Sequence, residues 1–125
     1  DGVHGGVRLL GADHIVRMSE VSVATEEDAT LLMPPRFGLG FMRSMDNRHR
    51  AAGHMETMIL GRQAFGHAGA GGSVGFADPE ARLAFGYSMN RMGAGILLNE
   101  RGQALVDATY RALGYRTSQP GVWVR

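Results

Sequence analysis

The chain contains no cysteine and no lysine. Without cysteine there is no disulfide, no thiolate metal ligand and no cysteine nucleophile. Without lysine there is no phosphate-loop lysine, no Schiff-base amine and no Ser-x-x-Lys acylation centre among these residues. The thirteen basic residues, all arginines, face twelve acidic ones, for a formal net charge of +1. So even a balance argues against nucleic acid and against a polybasic membrane patch. No apolar run approaches the ~18 residues that a membrane span needs. Aromatic residues are sparse at 7%, while apolar content is ordinary at 44%. A chain of 125 residues suits one domain and buries roughly two-thirds of its unfolded surface. It starts at Asp1 without a methionine, so its targeting is not legible.

What is abundant is glycine, with 19 residues. Five of them fall between Gly66 and Gly75, in Phe65-Gly66-His67-Ala68-Gly69-Ala70-Gly71-Gly72-Ser73-Val74-Gly75-Phe76-Ala77-Asp78-Pro79. Glycine is costly to order and is favoured where the backbone takes positive φ or something approaches closely. Inside strand-like sequence it points to a ligand or a second backbone at close range. Here that run begins beside a titratable histidine.

Periodicity places this block within a mixed chain. Residues 1–8 read as loop. Gly11 to Met18 reads as a short helix with Leu10, His14 or Ile15, and Met18 on one face and Asp13 in its first turn. Pro34-Pro35 stops regular structure. Arg36 to Arg43 alternates apolar residues at Phe37, Leu39 and Phe41, the pattern of a half-buried strand. Residues 44–62, with Arg48, His49, Arg50, His54 and Arg62, read as an exposed loop. Phe65–Ala68, Ser73–Ala77 and Leu83–Asn90 are expected strands, the last two joined by a turn at Asp78-Pro79-Glu80-Ala81. Asn99 is the expected cap of a helix running to about Leu113, with Gly114 as its stop and Leu105, Ala108 and Ala112 as its apolar stripe. The expected class is α+β, an antiparallel sheet of three or four strands covered by the C-terminal helix.

Several chemistries fit parts of this pattern and fail on the rest. Gly71-Gly72-Ser73-Val74-Gly75 matches G-x-S-x-G, but that elbow needs strand, sharp turn and helix, and its triad histidine must follow the serine. Strand-like residues follow Ser73, and no histidine follows His67. A nucleotide loop fails because Val74 occupies the place of the last glycine and no helix offers its positive end. His49, His54 and His67 with Glu56 lack a zinc spacing. No cofactor or metal is expected.

The glycine block resembles the third active-site motif of the serine β-lactamase and penicillin-binding protein superfamily. It is most similar to the class C-like β-lactamase-related esterases, in which His-x-Gly stands in place of Lys-Thr-Gly. Leu9-Leu10, Pro35 to Phe41 and Phe85-Gly86-Tyr87-Ser88-Met89-Asn90-Arg91-Met92 resemble further segments of that family in the same order. The resemblance implies a partial β-lactamase/transpeptidase-like fold. Residues 1–125 are then a single C-terminal segment of a serine hydrolase whose nucleophile lies upstream. It implies that His67 points into the cleft, and that Ala68 replaces a threonine or serine hydroxyl. It implies that Gly69 and Gly71 leave room for substrate, and that the Ala70 N–H is one oxyanion donor. Tyr87-Ser88-Met89-Asn90 has one residue more than the family's Tyr-x-Asn and sits in the last strand, so that role is not carried over. The implied partners are a small ester or amide and the upstream part of the same protein. Self-association through an exposed sheet edge is expected if that part is absent. The competing expectation is a non-catalytic binding or assembly module that docks through the glycine-rich strand.

Overall fold

The computed structural model describes residues 2–51 and 56–125. The chain is α+β. A two-residue hairpin, β1 (Val3–His4) and β2 (Val7–Arg8), precedes helix α1 (Ala12–Ser19). A six-stranded sheet follows, built from β3 (Val23–Ala24), β4 (Arg36–Phe37), β5 (Met42–Arg43), β6 (Phe65–Gly69), β7 (Ser73–Asp78) and β8 (Leu83–Tyr87). Its strands lie in chain order, each antiparallel to the next. Helix α2 (Glu100–Ala112) comes last.

The antiparallel sheet and its helix agree with expectation, but the strand count does not. Three or four strands were expected, and six form the main sheet. Within the stretch 1–8 expected as loop, residues 3–8 form a hairpin, because Gly5 and Gly6 both take positive φ (56° and 79°), the backbone that a tight two-residue turn demands. Arg36 to Arg43 is not one strand but two. Gly40 takes φ of 76°, the Gly38 N–H donates to the Phe41 carbonyl at 2.7 Å, and Phe37 faces Met42. Alternation alone does not distinguish a strand from a hairpin this short.

The three longer strands follow period two. Val74, Phe76 and Asp78 face the core, and Gly75 faces outward. In β8, Leu83, Phe85 and Tyr87 point inward while Ala84 and Gly86 are exposed. Helix α2 lies against the inward side. Its buried residues are Gly102, Val106 and Tyr110, spaced i, i+4, i+8. The expected stripe is therefore displaced: Leu105 is 44% exposed, and Ala108 and Ala112 are also exposed. Tyr110 decides the helix's rotation, because it fills a slot between Phe76, Tyr115 and Trp123 at ring distances of 6.1, 5.1 and 5.8 Å. The helix ends as expected. Gly114 takes φ of 83°, its N–H reaches the Arg111 carbonyl, and the Tyr115 N–H reaches the Tyr110 carbonyl, each at 3.0 Å. These two bonds are those of a Schellman motif.

Residues 44–62 are corrected most. Rather than a loop in solvent, Met45, Met58, Ile59 and Leu60 belong to the core. Met45 bridges Met58, and Gly61 bridges Trp123. The Ser44 hydroxyl accepts from the Leu60 N–H at 2.9 Å and donates to the Gly121 carbonyl at 2.8 Å, which ties three distant segments together. Arg48, His49 and Arg62 are exposed, and such charged residues dominate a composition reading.

Candidate active site

The hairpin of β6 and β7 projects the residues singled out by the sequence. His67 lies opposite Gly75, and Gly75 opposite Gly86. A Cβ added to Gly75 or Gly86 meets nothing within 4 Å. His67 is exposed on this outward face, beside a floor of bare backbone. Its ring lies 6.2 Å from that of Phe37. Its Nδ1 is 2.7 Å from the carbonyl oxygen of Ala68. A carbonyl only accepts, so Nδ1 carries the hydrogen and donates. In the neutral ring that leaves Nε2 as an acceptor.

The other residues divide between core and rim. Ala68 is 4% exposed and packs inward against the core, so only its backbone takes part on the His67 side. Gly69 lies across from Ser73, whose Oγ would stand 2.4 Å from an added Cβ. Ala70 is exposed at the start of the turn. The turn's hydrogen bonds run from Gly71 N–H to the Gly95 carbonyl and from Gly72 N–H to the Gly69 carbonyl, both 3.0 Å. Among the described residues these turn bonds do not use the Ala70 N–H. Gly71 and Gly72 take φ of 85° and 107°, a region that side-chain-bearing residues rarely adopt. Gly71 is buried against Met92, where an added Cβ would be 2.8 Å from the Met92 Cβ.

The crowding at the tip of the glycine run comes from two side chains, Met92 against Gly71 and Asn99 against Gly72. Loop 91–99 lies across the hairpin tip. The Gly93 N–H donates to the Gly71 carbonyl at 2.9 Å, and the Asn99 side-chain amide donates to the same oxygen at 2.7 Å. The loop is itself held by Glu56, whose carboxylate accepts from the Ile96 and Leu97 N–H groups at 3.3 and 3.1 Å. Sequence reasoning placed Asn99 only as a helix cap and did not connect Glu56 to this site. The signal available was the demand for space at Gly71, Gly72 and Gly93.

The remaining candidates do not converge. Ser73 opens β7 with a strand after it, not a helix, so the elbow's context is missing. His49 is exposed, His54 lies outside the described residues, and the Glu56 carboxylate is engaged by loop 91–99. Among the described residues no three His, Asp or Glu side chains gather as metal ligands. A concavity of about 860 Å³ is lined by Arg48, Glu56, Gln103 and Asp107 among others, and by none of His67 to Gly71. Two of its charged groups already have structural partners. Arg48 pairs with Asp46 at 2.6 Å, and Asp107 accepts from Gln103 and Trp123 at 2.7 and 3.1 Å.

Comparison with known proteins bears on the same segment. Residues 3–110 match the family model described as beta-lactamase. The chain is similar to the esterase/beta-lactamase LipL of Mycobacterium tuberculosis, at 28% identity over 97 residues, covering 76% of this chain and 19% of that protein. It is also similar to the crystal structure of a family VIII carboxylesterase, with a TM-score of 0.71 and 34% identity, covering 88% of this chain and 27% of that one. The chain thus spans 19% of the length of the curated relative and 27% of the solved structure.

Proposed function

The chain belongs to the beta-lactamase family, and on that premise we propose that it is the C-terminal part of a serine hydrolase that cleaves esters through an acyl-enzyme. Strand β6 forms one wall of the active site. A serine in the upstream part attacks the ester carbonyl, the alcohol leaves, and water then releases the acid and restores the serine. The Ala70 N–H donates to the oxyanion of the tetrahedral intermediate, with the serine's own N–H as second donor. Each such donor is worth roughly 3–4 kcal/mol in the transition state. His67 stands on the wall beside the reacting carbonyl, and Gly69 and Gly71 keep that wall thin. The observation that carries the reading is the exposed Ala70 in a clamped turn whose hydrogen bonds, among the described residues, do not use its N–H.

The substrate class follows from what the wall offers. Ala68 has no hydroxyl, and its side chain is turned into the core. The His67 Nδ1–H is engaged by the Ala68 carbonyl, so one of its two ring nitrogens is already spent on backbone. Neither group grips a carboxylate as a lysine and threonine would. A neutral short-chain ester therefore fits better than a β-lactam or a cell-wall peptide.

The upstream part of the same protein is the partner of this chain. The exposure of Val7 (61%), Leu9 (68%) and Val16 (56%) supports it, since uncovered apolar groups mark contact surfaces. So does β8, which among the described residues has no strand on its outer side.

The test is turnover of p-nitrophenyl butyrate and of a chromogenic cephalosporin by the longer protein. The expected result is efficient ester hydrolysis and poor cephalosporin hydrolysis. Efficient cephalosporin turnover with poor ester turnover contradicts the substrate class. No turnover of either returns the chain to a docking module.

A further inference from the structure

We propose that Asn99 is a positioning residue that holds the oxyanion donor at Ala70, an inference that rests on the esterase reading above. Its side chain works in two directions. The Oδ1 accepts from the Gly102 N–H at 3.2 Å, closing the first turn of α2. The Nδ2 donates to the Gly71 carbonyl at 2.7 Å. An N-cap needs only the first of these, and serine or aspartate supplies it equally well. The second bond needs a donor, which among good caps asparagine's amide provides at this reach.

The bond lands where it controls Ala70. The Gly71 N–H, on the peptide that follows Ala70, is held by the Gly95 carbonyl, and the Gly71 carbonyl is held by both Gly93 and Asn99. On the other side, the Gly69 carbonyl, on the peptide that carries the Ala70 N–H, accepts from Gly72. The donor therefore sits on one clamped peptide, with the peptide after it clamped as well. Oxyanion stabilisation depends on a donor being fixed before charge develops, and a misplacement of about 1 Å costs on the order of 100-fold in rate.

The surrounding glycines are cut to fit this side chain. A Cβ on Gly72 or on Gly93 would stand 2.3 Å from Asn99 Nδ2, and a Cβ on Gly102 would stand 2.8 Å from the Gly72 carbonyl oxygen. Three glycines from three segments thus make room for one amide and for the first turn of α2 against the hairpin tip. Two of the three, Gly72 and Gly102, are buried.

The experiment compares Asn99→Asp with Asn99→Ala in the longer, upstream-containing protein. Asn99→Asp keeps the acceptor for Gly102 and places negative charge at the helix N-terminus, where it is favoured, but it cannot donate to Gly71. The expected result is a Tm within a few degrees of the wild type, a kcat lower by about 10- to 100-fold, an unchanged KM, and faster amide exchange at Gly71 and Gly72. Asn99→Ala loses the cap as well and lowers Tm further. An Asn99→Asp protein with wild-type kcat and wild-type tip exchange overturns the proposal. If the wild type hydrolyses no ester, the functional reading has failed separately. The exchange at Gly71 and Gly72 then decides alone: faster exchange at unchanged Tm supports positioning, and unchanged exchange overturns it.

Discussion

The two ends of this chain are built on different principles. From β5 onward, the sheet, the segment around Met58 to Leu60, α2 and the C-terminal tail share one core in which Met58, Leu60, Val106 and Tyr110 are fully buried. Among residues 2–32 none is buried, although Val7, Leu9, Leu10, Val16, Val21, Val23 and Leu32 are all apolar and exposed. That region is attached by polar ties, with Leu31 at its end packed against the core. The Arg43 guanidinium donates to the Ser19 carbonyl and to the Arg62 carbonyl at 2.6 Å, and the Ser22 N–H donates to the Phe37 carbonyl at 2.7 Å. A region that buries its own apolar groups supplies its own stability. One that displays them takes stability from whatever covers it. The proposed active-site wall belongs to the first region, and the proposed contact with the upstream part belongs largely to the second.

The sharpest break in this comparison comes from paired truncations. Trp123 is 2% exposed, stacks on Tyr110, and carries Arg111 over its ring at 5.3 Å. Trp123→Ala is expected to cost about 3–5 kcal/mol in chemical denaturation, while Leu9→Ala, at a 68% exposed site, costs within about 0.5 kcal/mol. Equal losses would erase the distinction between the two regions.

Next in size is the buried polar link inside the core. The Tyr110 hydroxyl donates to Asp78 Oδ2 and accepts from the Gly61 N–H, both at 2.7 Å. Tyr110→Phe leaves two buried groups without a partner, for a loss of about 3 kcal/mol. Burial first, and then the Asp78 bond, push the Tyr110 phenol well above its ordinary value. A raised folded-state pKa means that this contribution is full below about pH 10 and is lost as pH rises further, because only the unfolded chain then releases the proton. Urea midpoints of the wild type should fall between pH 9 and pH 11, and those of Tyr110→Phe should fall less.

The smallest effect lies at the surface. Arg48 grips Asp46 through two bonds of 2.7 and 2.6 Å, and that side-chain bond holds the Asp46 carboxyl below its usual range. A depressed carboxyl contributes stability above about pH 4 that is lost as pH falls further. With Arg48 about half exposed, the whole amount is under about 1 kcal/mol. Asp46→Asn should flatten the acid limb of the stability profile by that much, read from thermal melts between pH 5 and pH 3.

Legibility followed the same divide with one reversal. Alternation in β7 and β8 and the caps of α2 are local signals, and they located β7 and α2 within a residue and β8 within three. The hairpin at Gly5-Gly6 and the split at Gly40 rest on positive φ at single glycines, which composition does not reveal. The burial of Met45 and Met58 to Leu60 was hidden by the charged residues between them, although Met58-Ile59-Leu60 is itself an apolar run. The rotation of α2 was set by Tyr110 finding a slot among aromatic rings from β7 and the tail, a tertiary fact that no helical period carries. At the candidate site the block from His67 to Gly71 was legible as a motif. What was not legible is why its glycines are crowded. The answer lies in loop 91–99, whose approach is long-range in sequence.

The most direct test of the central claim is intact-mass analysis after exposure to an acylating ester, for the 125-residue chain alone and for the same chain with its upstream part. An acyl adduct is expected only in the longer protein, on a serine upstream of Asp1. An adduct on the chain alone, at Ser73 or any other residue, would contradict the claim that this chain is one wall of a site whose nucleophile lies elsewhere.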